Sequence, residues 1–297
     1  MFNKVGSFQP ALIALIFSFA AHADVAHEAV SVTEIAPNVM VFSTSAGNVV
    51  ASVGADGALL VGTPSAASTS QIADILASRT RSSVRYVVIF PQDPAHPNGD
   101  AGWERLGAFV AMQENALGRL GGHRMGPPQP LPRHLIELGV DRPRVAFSDV
   151  LTFDMNGEAI HIVHQPAGYS DADAIAHFHV ASLVYLGEVF PGDGYPAADA
   201  AQGGNLDGLV KTLEASMGIA AHIVPARGKV ADAATVKAFH HMLVSIRDRV
   251  RHMIQAGQTE EQVLAAHPTK EFDPDWGHGR VSPDAFVRQI YAELRSR

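Results

Sequence analysis

A short segment rich in proline and glycine carries the side chains in this sequence that are best suited to chemistry. It spans residues 90–103 and contains one imidazole, His96, and two carboxylates, Asp93 and Asp100. The apolar run 86–89 before it predicts a buried strand. Because loops at the ends of buried strands often carry binding and catalytic residues, we expect a functional cleft at this loop.

Composition excludes some classes of function. The chain has 297 residues, of which 47% are hydrophobic, so it can bury a large core. Its formal net charge of -8 argues against a nucleic-acid partner, which calls for a basic surface. The sequence contains no cysteine, so disulfides cannot stabilise it. We find no linker that would split residues 24–297, and we therefore expect a single domain there.

The N-terminal residues predict an export signal. Lys4 precedes a short apolar run, 11–20, and residues 21–23 (Ala-His-Ala) fit the pattern of a cleavage site. The run is too short to span a membrane, and no later run is long enough. The alternative is a buried N-terminal helix. We expect residues 1–23 to be a signal peptide cleaved near Ala23, which places the mature protein in the periplasm or outside the cell.

The order of predicted elements indicates an α/β fold. Hairpin strands at 39–42 and 48–53 lead to a further strand and then to a helix over 66–78. A continuous strand is predicted over 145–153, paired with one at 159–164. The theme of strands followed by helices occurs twice, which predicts a layered sandwich with its loops gathered along one edge.

Several short segments are informative through their order and spacing. They are 47–61, 107–108, 114–115, 147–149, 156–158, 170–173, 187–188, 195–196 and 203–204. Together they resemble the metallo-β-lactamase superfamily, and residues 283–291 resemble its exported, cyclase-like branch. The resemblance implies a four-layer αββα sandwich with two zinc ions at the strand ends that activate water for hydrolysis.

The same resemblance identifies the positions of the metal ligands, and most hold other residues. In the first loop only His96 matches the family motif, and Asp93 stands where a ligand histidine is expected. A later ligand histidine is replaced by Tyr169, the bridging aspartate by Glu188, and the histidine of the last turn by Arg227. A further aspartate of the family, at the end of a hairpin strand, is replaced by glycine at position 62.

With these replacements, the sequence does not decide whether the protein binds a metal ion. Asp93, His96 and Glu188 keep donor atoms and could hold one zinc or another divalent ion. Arg227 stays charged and cannot donate a lone pair to a metal. We expect it to pair with Glu188 or Asp93 and to supply the positive charge that metal supplies in the family.

Three functions remain compatible with the sequence, and it does not decide whether the chain is an enzyme. The first is a non-catalytic or divergent protein that binds a small molecule. The second is a metal-dependent hydrolase of an ester, lactone or amide, with a rebuilt mononuclear site. The third is metal-free hydrolysis with His96 as base and Arg227 as oxyanion stabiliser. All three use a cleft with the candidate residues Asp93, His96, Tyr169, Asp171, Glu188 and Arg227.

Other polar residues have simpler interpretations. Asp171 and Asp173 are expected to cap the loop that contains them. His177 and His179 are two residues apart on a predicted strand and share a face. They lie at the far end of that strand from the expected cleft, so we expect them to be exposed or hydrogen-bonded. His161 is not expected to pair with its neighbour His164, because the two point to opposite faces.

Overall fold

Two sheets form the centre of the computed structural model, which describes residues 29–62, 65–80, 83–90, 103, 106–119 and 144–296. The first sheet has seven described strands whose spatial order follows the chain. β1 to β4 pair antiparallel, and β4 to β7 pair parallel. These strands are β1 (Ser31–Ala36), β2 (Val39–Ser43), β3 (Asn48–Gly54), β4 (Gly57–Val61), β5 (Val84–Ile89), β6 (Phe109–Gln113) and β7 (Arg144–Phe147).

The second sheet has five described strands in the spatial order β12-β11-β10-β9-β8. β11 and β12 are parallel, and the other neighbours are antiparallel. A parallel pair brings the carboxyl ends of both strands to one edge of the sheet, and the candidate site lies at that edge. The strands are β8 (Val150–Met155), β9 (Glu158–His164), β10 (Ala174–Phe178), β11 (Leu183–Gly187) and β12 (His222–Pro225).

Helices cover the outer faces of both sheets. No helix in the described part of the chain is long and apolar enough to span a membrane. The described helices are α1 (Ala66–Arg79), α2 (Glu114–Arg119), α3 (Leu206–Ser216), α4 (Ala233–Gln255), α5 (Glu260–Ala265), α6 (Asp273–Trp276) and α7 (Pro283–Arg295).

The apolar cores show how the layers stack. Residues such as Val61 from the first sheet and Ile162 from the second share a core between the sheets. Ile72 of α1 packs on the outer face of the first sheet. Phe239 of α4 and Phe286 of α7 pack on the outer face of the second sheet. This arrangement confirms the four-layer αββα sandwich expected from the sequence.

Local sequence signals predicted the start of α1 correctly but not the division of segment 145–153. Ser65 caps α1 by accepting a hydrogen bond from the backbone N–H of Ser68, so this helix begins where the sequence predicts. The prediction of one continuous strand over 145–153 was wrong. The chain bends at residues 148–149, which puts β7 in the first sheet and β8 in the second. Strand propensity alone does not reveal such a crossing, because both halves of the segment favour extended backbone.

Candidate functional site

Two parallel strands bring the central charged residues together. β11 ends at Gly187 and β12 ends at Pro225, and these two residues are partners in the strand register. Glu188 directly follows the first strand, and Arg227 lies two residues beyond the second. The backbone N–H of Arg227 donates to the carbonyl oxygen of Pro191 at 3.0 Å, which holds the two loops side by side. The pairing of the strands therefore places a carboxylate and a guanidinium at the same edge.

Arg227 and Glu188 form a two-pronged ion pair. The Arg227 Nη1 and Nη2 atoms lie 2.5 and 3.0 Å from the Glu188 Oε1 and Oε2 atoms. A third donor, Nε of Arg227, lies 2.8 Å from Oδ2 of Asp193. The side chains of Arg227 and Glu188 are only 10% and 13% exposed. Of the two partners that the sequence offered for Arg227, Glu188 is therefore bound, and Asp193 is an additional partner.

This environment keeps Arg227 charged. Burial alone lowers the pKa of Arg227, because it penalises the charged form. The hydrogen bonds and the negative charges of Glu188 and Asp193 together outweigh burial and raise the pKa of Arg227 above its ordinary value. A permanent positive charge therefore lies between two carboxylates at this edge of the sheet.

The loop after Glu188 approaches Arg227 very closely. Gly192 has a φ of 82°, in the left-handed region that favours glycine. A Cβ atom at this position would lie 2.2 Å from the carbonyl oxygen of Arg227. The glycine therefore allows Asp193, the next residue, to reach the guanidinium.

Tyr169 approaches from a loop that is held by one buried carboxylate. Oδ2 of Asp173 accepts hydrogen bonds from the backbone N–H groups of Gly168 and Tyr169, at 3.1 and 2.6 Å. Its Oδ1 accepts from the backbone N–H and the hydroxyl of Ser170. The expectation that Asp173 caps this loop is confirmed. Burial raises the pKa of Asp173 to about 6, although the four hydrogen bonds act in the opposite direction.

The raised pKa of Asp173 predicts a specific pH dependence of stability. The folded state holds the Asp173 proton more tightly than the unfolded state, whose reference pKa is 3.8. This residue's stabilising contribution is therefore full below about pH 4 and is lost as the pH rises through about 6. The loss amounts to about 3 kcal/mol. In urea titrations from pH 4 to 7, Asp173→Asn should lack this component, whereas Ser170→Ala, which keeps the carboxyl group, should retain it. Identical pH profiles for wild type and Asp173→Asn would contradict the assignment.

Asp171 belongs to the same loop, but its described side-chain contact is with Arg119 and not with the loop backbone that it was expected to cap. Its Oδ1 is 2.5 Å from Nη1 of Arg119, and its carbonyl oxygen accepts from Nδ2 of Asn115 at 2.9 Å. The same carbonyl oxygen lies 3.0 Å from Nε2 of His164. In the described part of the chain, Asp171 is not among the residues that line the cleft next to Arg227. The other two candidates, Asp93 and His96, lie outside the described residues, so their place in the cleft stays a prediction.

A cleft of about 290 Å³ opens beside the Arg227 ion pairs. It contains carboxylates and guanidinium groups together with two aromatic side chains. Sequence reasoning missed Asp193, Tyr195, Asp199 and Arg280 as lining residues. The available signal for the first three was their position in the glycine-rich loop after Glu188, where residues 195–196 also carry part of the family resemblance. The described lining residues are Tyr169, Glu188, Pro191, Asp193, Tyr195, Ala197, Asp199, Arg227, Arg280 and Val281.

A buried tyrosine occupies the space next to Gly62. A Cβ atom at Gly62 would lie 3.0 Å from the hydroxyl oxygen of Tyr185 and 2.7 Å from the carbonyl oxygen of Asn48. Burial raises the pKa of Tyr185, and the charge of Glu188 adds to the effect. The aspartate that the family resemblance places at this position would therefore collide with Tyr185 and with the backbone of β3.

The described residues do not fit the metal centre that the resemblance implies. Both carboxylate oxygens of Glu188 already accept hydrogen bonds from Arg227, which supplies no lone pair of its own. A divalent ion bound to Glu188 would also be repelled by the guanidinium a few ångströms away. Within residues 29–296, apart from the undescribed stretches, no group of three or more His, Asp or Glu side chains is arranged to hold a metal ion.

Solved structures share this architecture. A metallo-β-lactamase from Pontibacter korlensis superposes with a TM-score of 0.57 and 14% identity, over 72% of this chain and 99% of that chain. One from Hirschia baltica superposes with a TM-score of 0.55 and 15% identity, over 72% and 97%. The chain has the metallo-β-lactamase fold.

A longer protein also contains a region with an architecture similar to that of this chain. A double mutant of the sec-alkyl sulfatase PisA1 superposes with a TM-score of 0.65 and 14% identity, over 89% of this chain but only 50% of that chain. No protein-family model and no curated protein matches the sequence. At such low identities the similarity establishes the fold, and the chemistry has to be argued from the cleft itself.

Proposed function

We propose that this chain is an exported metallo-β-lactamase-fold protein whose cleft binds a small polar molecule. In this proposal the dinuclear metal site is largely lost, and Arg227 supplies the positive charge in its place. The observation that carries the proposal is the two-pronged ion pair between Arg227 and Glu188. Through this pair, Arg227 binds both carboxylate oxygens of Glu188, the residue that the resemblance places at the family's bridging-ligand position.

The charges of the cleft indicate the chemistry of its ligand. Arg227 and Arg280 line it together with the carboxylates of Glu188, Asp193 and Asp199. Mixed charges of this kind suit a molecule with both hydrogen-bond donors and acceptors, such as a polyhydroxylated or zwitterionic metabolite. A volume of about 290 Å³ lies at the lower end of the range for ligand pockets, so the ligand should be small.

The metal-dependent hydrolase is the less favoured alternative. It would need Glu188 to leave Arg227 and join Asp93 and His96 around one ion. Removing Glu188 would leave the buried guanidinium of Arg227 with Asp193 as its single described partner. Breaking a buried charge pair in this way is strongly unfavourable.

A substitution that fills the cleft tests the binding proposal without altering its charges. Ala197 lines the cleft, so Ala197→Phe should block it, whereas Ala201→Phe places the same ring at an exposed position outside the lining. A metabolite screen by thermal unfolding should yield a ligand that stabilises the wild type, by about 2.7 kcal/mol at a concentration 100 times its Kd. We expect Ala201→Phe to retain this stabilisation and Ala197→Phe to lose it. A screen without any saturable ligand, or equal binding by both variants, would refute the proposal.

A further inference from the structure

Three histidines form a cluster on the second sheet, away from the cleft. His161 of β9 and His177 of β10 are direct partners in the strand register, and His179 follows the end of β10. The Nδ1 atom of His161 lies 3.0 Å from the Nε2 atom of His179. The ring centres of His161 and His179 are 4.5 Å apart, and those of His177 and His179 are 4.0 Å apart. We call these three residues the histidine cluster.

The histidine cluster and the cleft lie at opposite ends of β10. The loop with Tyr169 precedes Ala174, where this strand begins, and His179 follows Phe178, where it ends. At about 3.3 Å per residue, some 15 Å separates the two ends. His179 is exposed, and the other two rings are half-buried, so an ion in solvent can reach the cluster.

The turn after His179 is fixed by a carboxylate. Oε1 of Glu158 accepts a hydrogen bond from the backbone N–H of Val180 at 2.7 Å, and Oε2 accepts from the backbone N–H of Ala181 at 2.8 Å. The backbone that carries His179 is therefore held in place beside His161. Such preorganisation lowers the conformational cost of placing both imidazoles on one ligand.

The protonation of the histidine cluster suits metal binding. The contact between His161 and His179 requires that at least one ring is neutral and accepts the shared proton. Neutral imidazole is the form that binds zinc, copper and nickel.

We propose that His161, His177 and His179 bind one divalent transition-metal ion of the zinc type. The ion takes the place of the hydrogen-bonded proton, and the ring that carried this proton stays neutral by holding one proton on its other nitrogen. With Zn–N bonds of 2.0–2.1 Å, two tetrahedral ligand nitrogens lie about 3.3 Å apart, close to the 3.0 Å observed between these two rings. The third ring, His177, lies beside them but does not yet converge, since no described group of three such side chains is arranged around one point. Binding therefore includes a rotation of the rings, for which the exposed His179 has room.

Calorimetric titration of Zn²⁺ into the metal-free full chain tests this proposal. We expect one equivalent to bind at pH 7.5 and binding to weaken below about pH 6, where protons compete for the imidazoles. His179→Gln keeps a hydrogen-bonding side chain beside His161 but removes the ligand, and it should weaken binding by about tenfold or more. His252→Ala, at an exposed position of α4, should leave the affinity unchanged.

A second variant tests whether Zn²⁺ binds at the histidine cluster or at the loop that contains His96. His96→Ala should leave the Zn²⁺ affinity unchanged, and chemical-shift changes on titration should fall on His161, His177 and His179. The proposal is overturned if the wild type shows no saturable Zn²⁺ binding, or if His179→Gln binds as tightly as His252→Ala. Loss of binding in His96→Ala with retention in His179→Gln would instead place the metal at the cleft and would contradict the charge replacement by Arg227.

Discussion

Arg227→Met is expected to lower the free energy of unfolding by about 3 kcal/mol. The substitution keeps much of the side-chain volume but leaves Glu188, which is only 13% exposed, without its two hydrogen-bond donors. It also removes the donor to Asp193, so two carboxylates are left next to each other without a cation. Urea unfolding followed by circular dichroism measures the change.

A double-mutant cycle and an exposed ion pair serve as controls for Arg227→Met. Adding Glu188→Gln to Arg227→Met should recover part of the loss, because the uncompensated charge is removed, and the coupling energy should be about 2 kcal/mol. Arg119→Met breaks the more exposed pair with Asp171 and should cost less than about 1 kcal/mol. Equal costs for Arg227→Met and Arg119→Met would mean that the Arg227 pair is not the buried structural feature that we describe.

Gly208→Ala is expected to destabilise the protein by about 3 kcal/mol, although alanine favours helices over glycine. Gly208 lies in α3, where a Cβ atom would be 1.7 Å from the carbonyl oxygen of Ala167 and 2.8 Å from the backbone nitrogen of Gly168. Both contacts are with backbone atoms, so the helix or the loop beneath it has to move. That loop continues into Tyr169, and we therefore also expect weaker ligand binding in the cleft.

The helical residue Gly118 provides the matched control for Gly208. It lies in α2, and among the described residues, apart from its own helix backbone, no atom lies within 4 Å of the position that its Cβ would take. Gly118→Ala should be neutral or should stabilise the protein by up to about 1 kcal/mol, as helix propensity predicts. Chemical denaturation of both variants measures their free energies of unfolding and shows whether close packing or helix propensity determines the effect of each substitution. If Gly208→Ala were as stable as Gly118→Ala, the close packing of α3 on the site loop would be refuted.

The candidate site was only partly predictable from sequence. The sequence predicted that Arg227 pairs with Glu188 or Asp93, because a guanidinium stays charged and attracts a carboxylate, but it did not decide between the two. Asp193 was missed, because its approach to Arg227 depends on the conformation of Gly192 and on the packing of two loops. Arg280 was missed because it comes from the segment between α6 and α7, far away in sequence.

The histidine cluster shows the same division between sequence and structure. The spacing of His177 and His179 predicted a shared face and a hydrogen-bonded or exposed role, which their contacts confirm. Their proximity to His161 depends on the register between β9 and β10, which the sequence left open. A shift of that register by one residue would turn His161 to the opposite face of the sheet.

The sequence by itself determined the fold class, because alternating apolar strands, turn residues and capped helices are local signals that agree along the chain. Its resemblance to the family also led to the expectation that Tyr169, Glu188 and Arg227 stand where the family has metal ligands. Only the tertiary structure decided that Arg227 binds both carboxylate oxygens of Glu188 and one of Asp193. It also decided that the side chain of Asp171 pairs with Arg119. The physical reason is that a charged side chain pairs with whichever partner the packed backbone brings within hydrogen-bonding distance. That distance is set by strand pairing and loop packing across the whole chain, and residue spacing does not encode it.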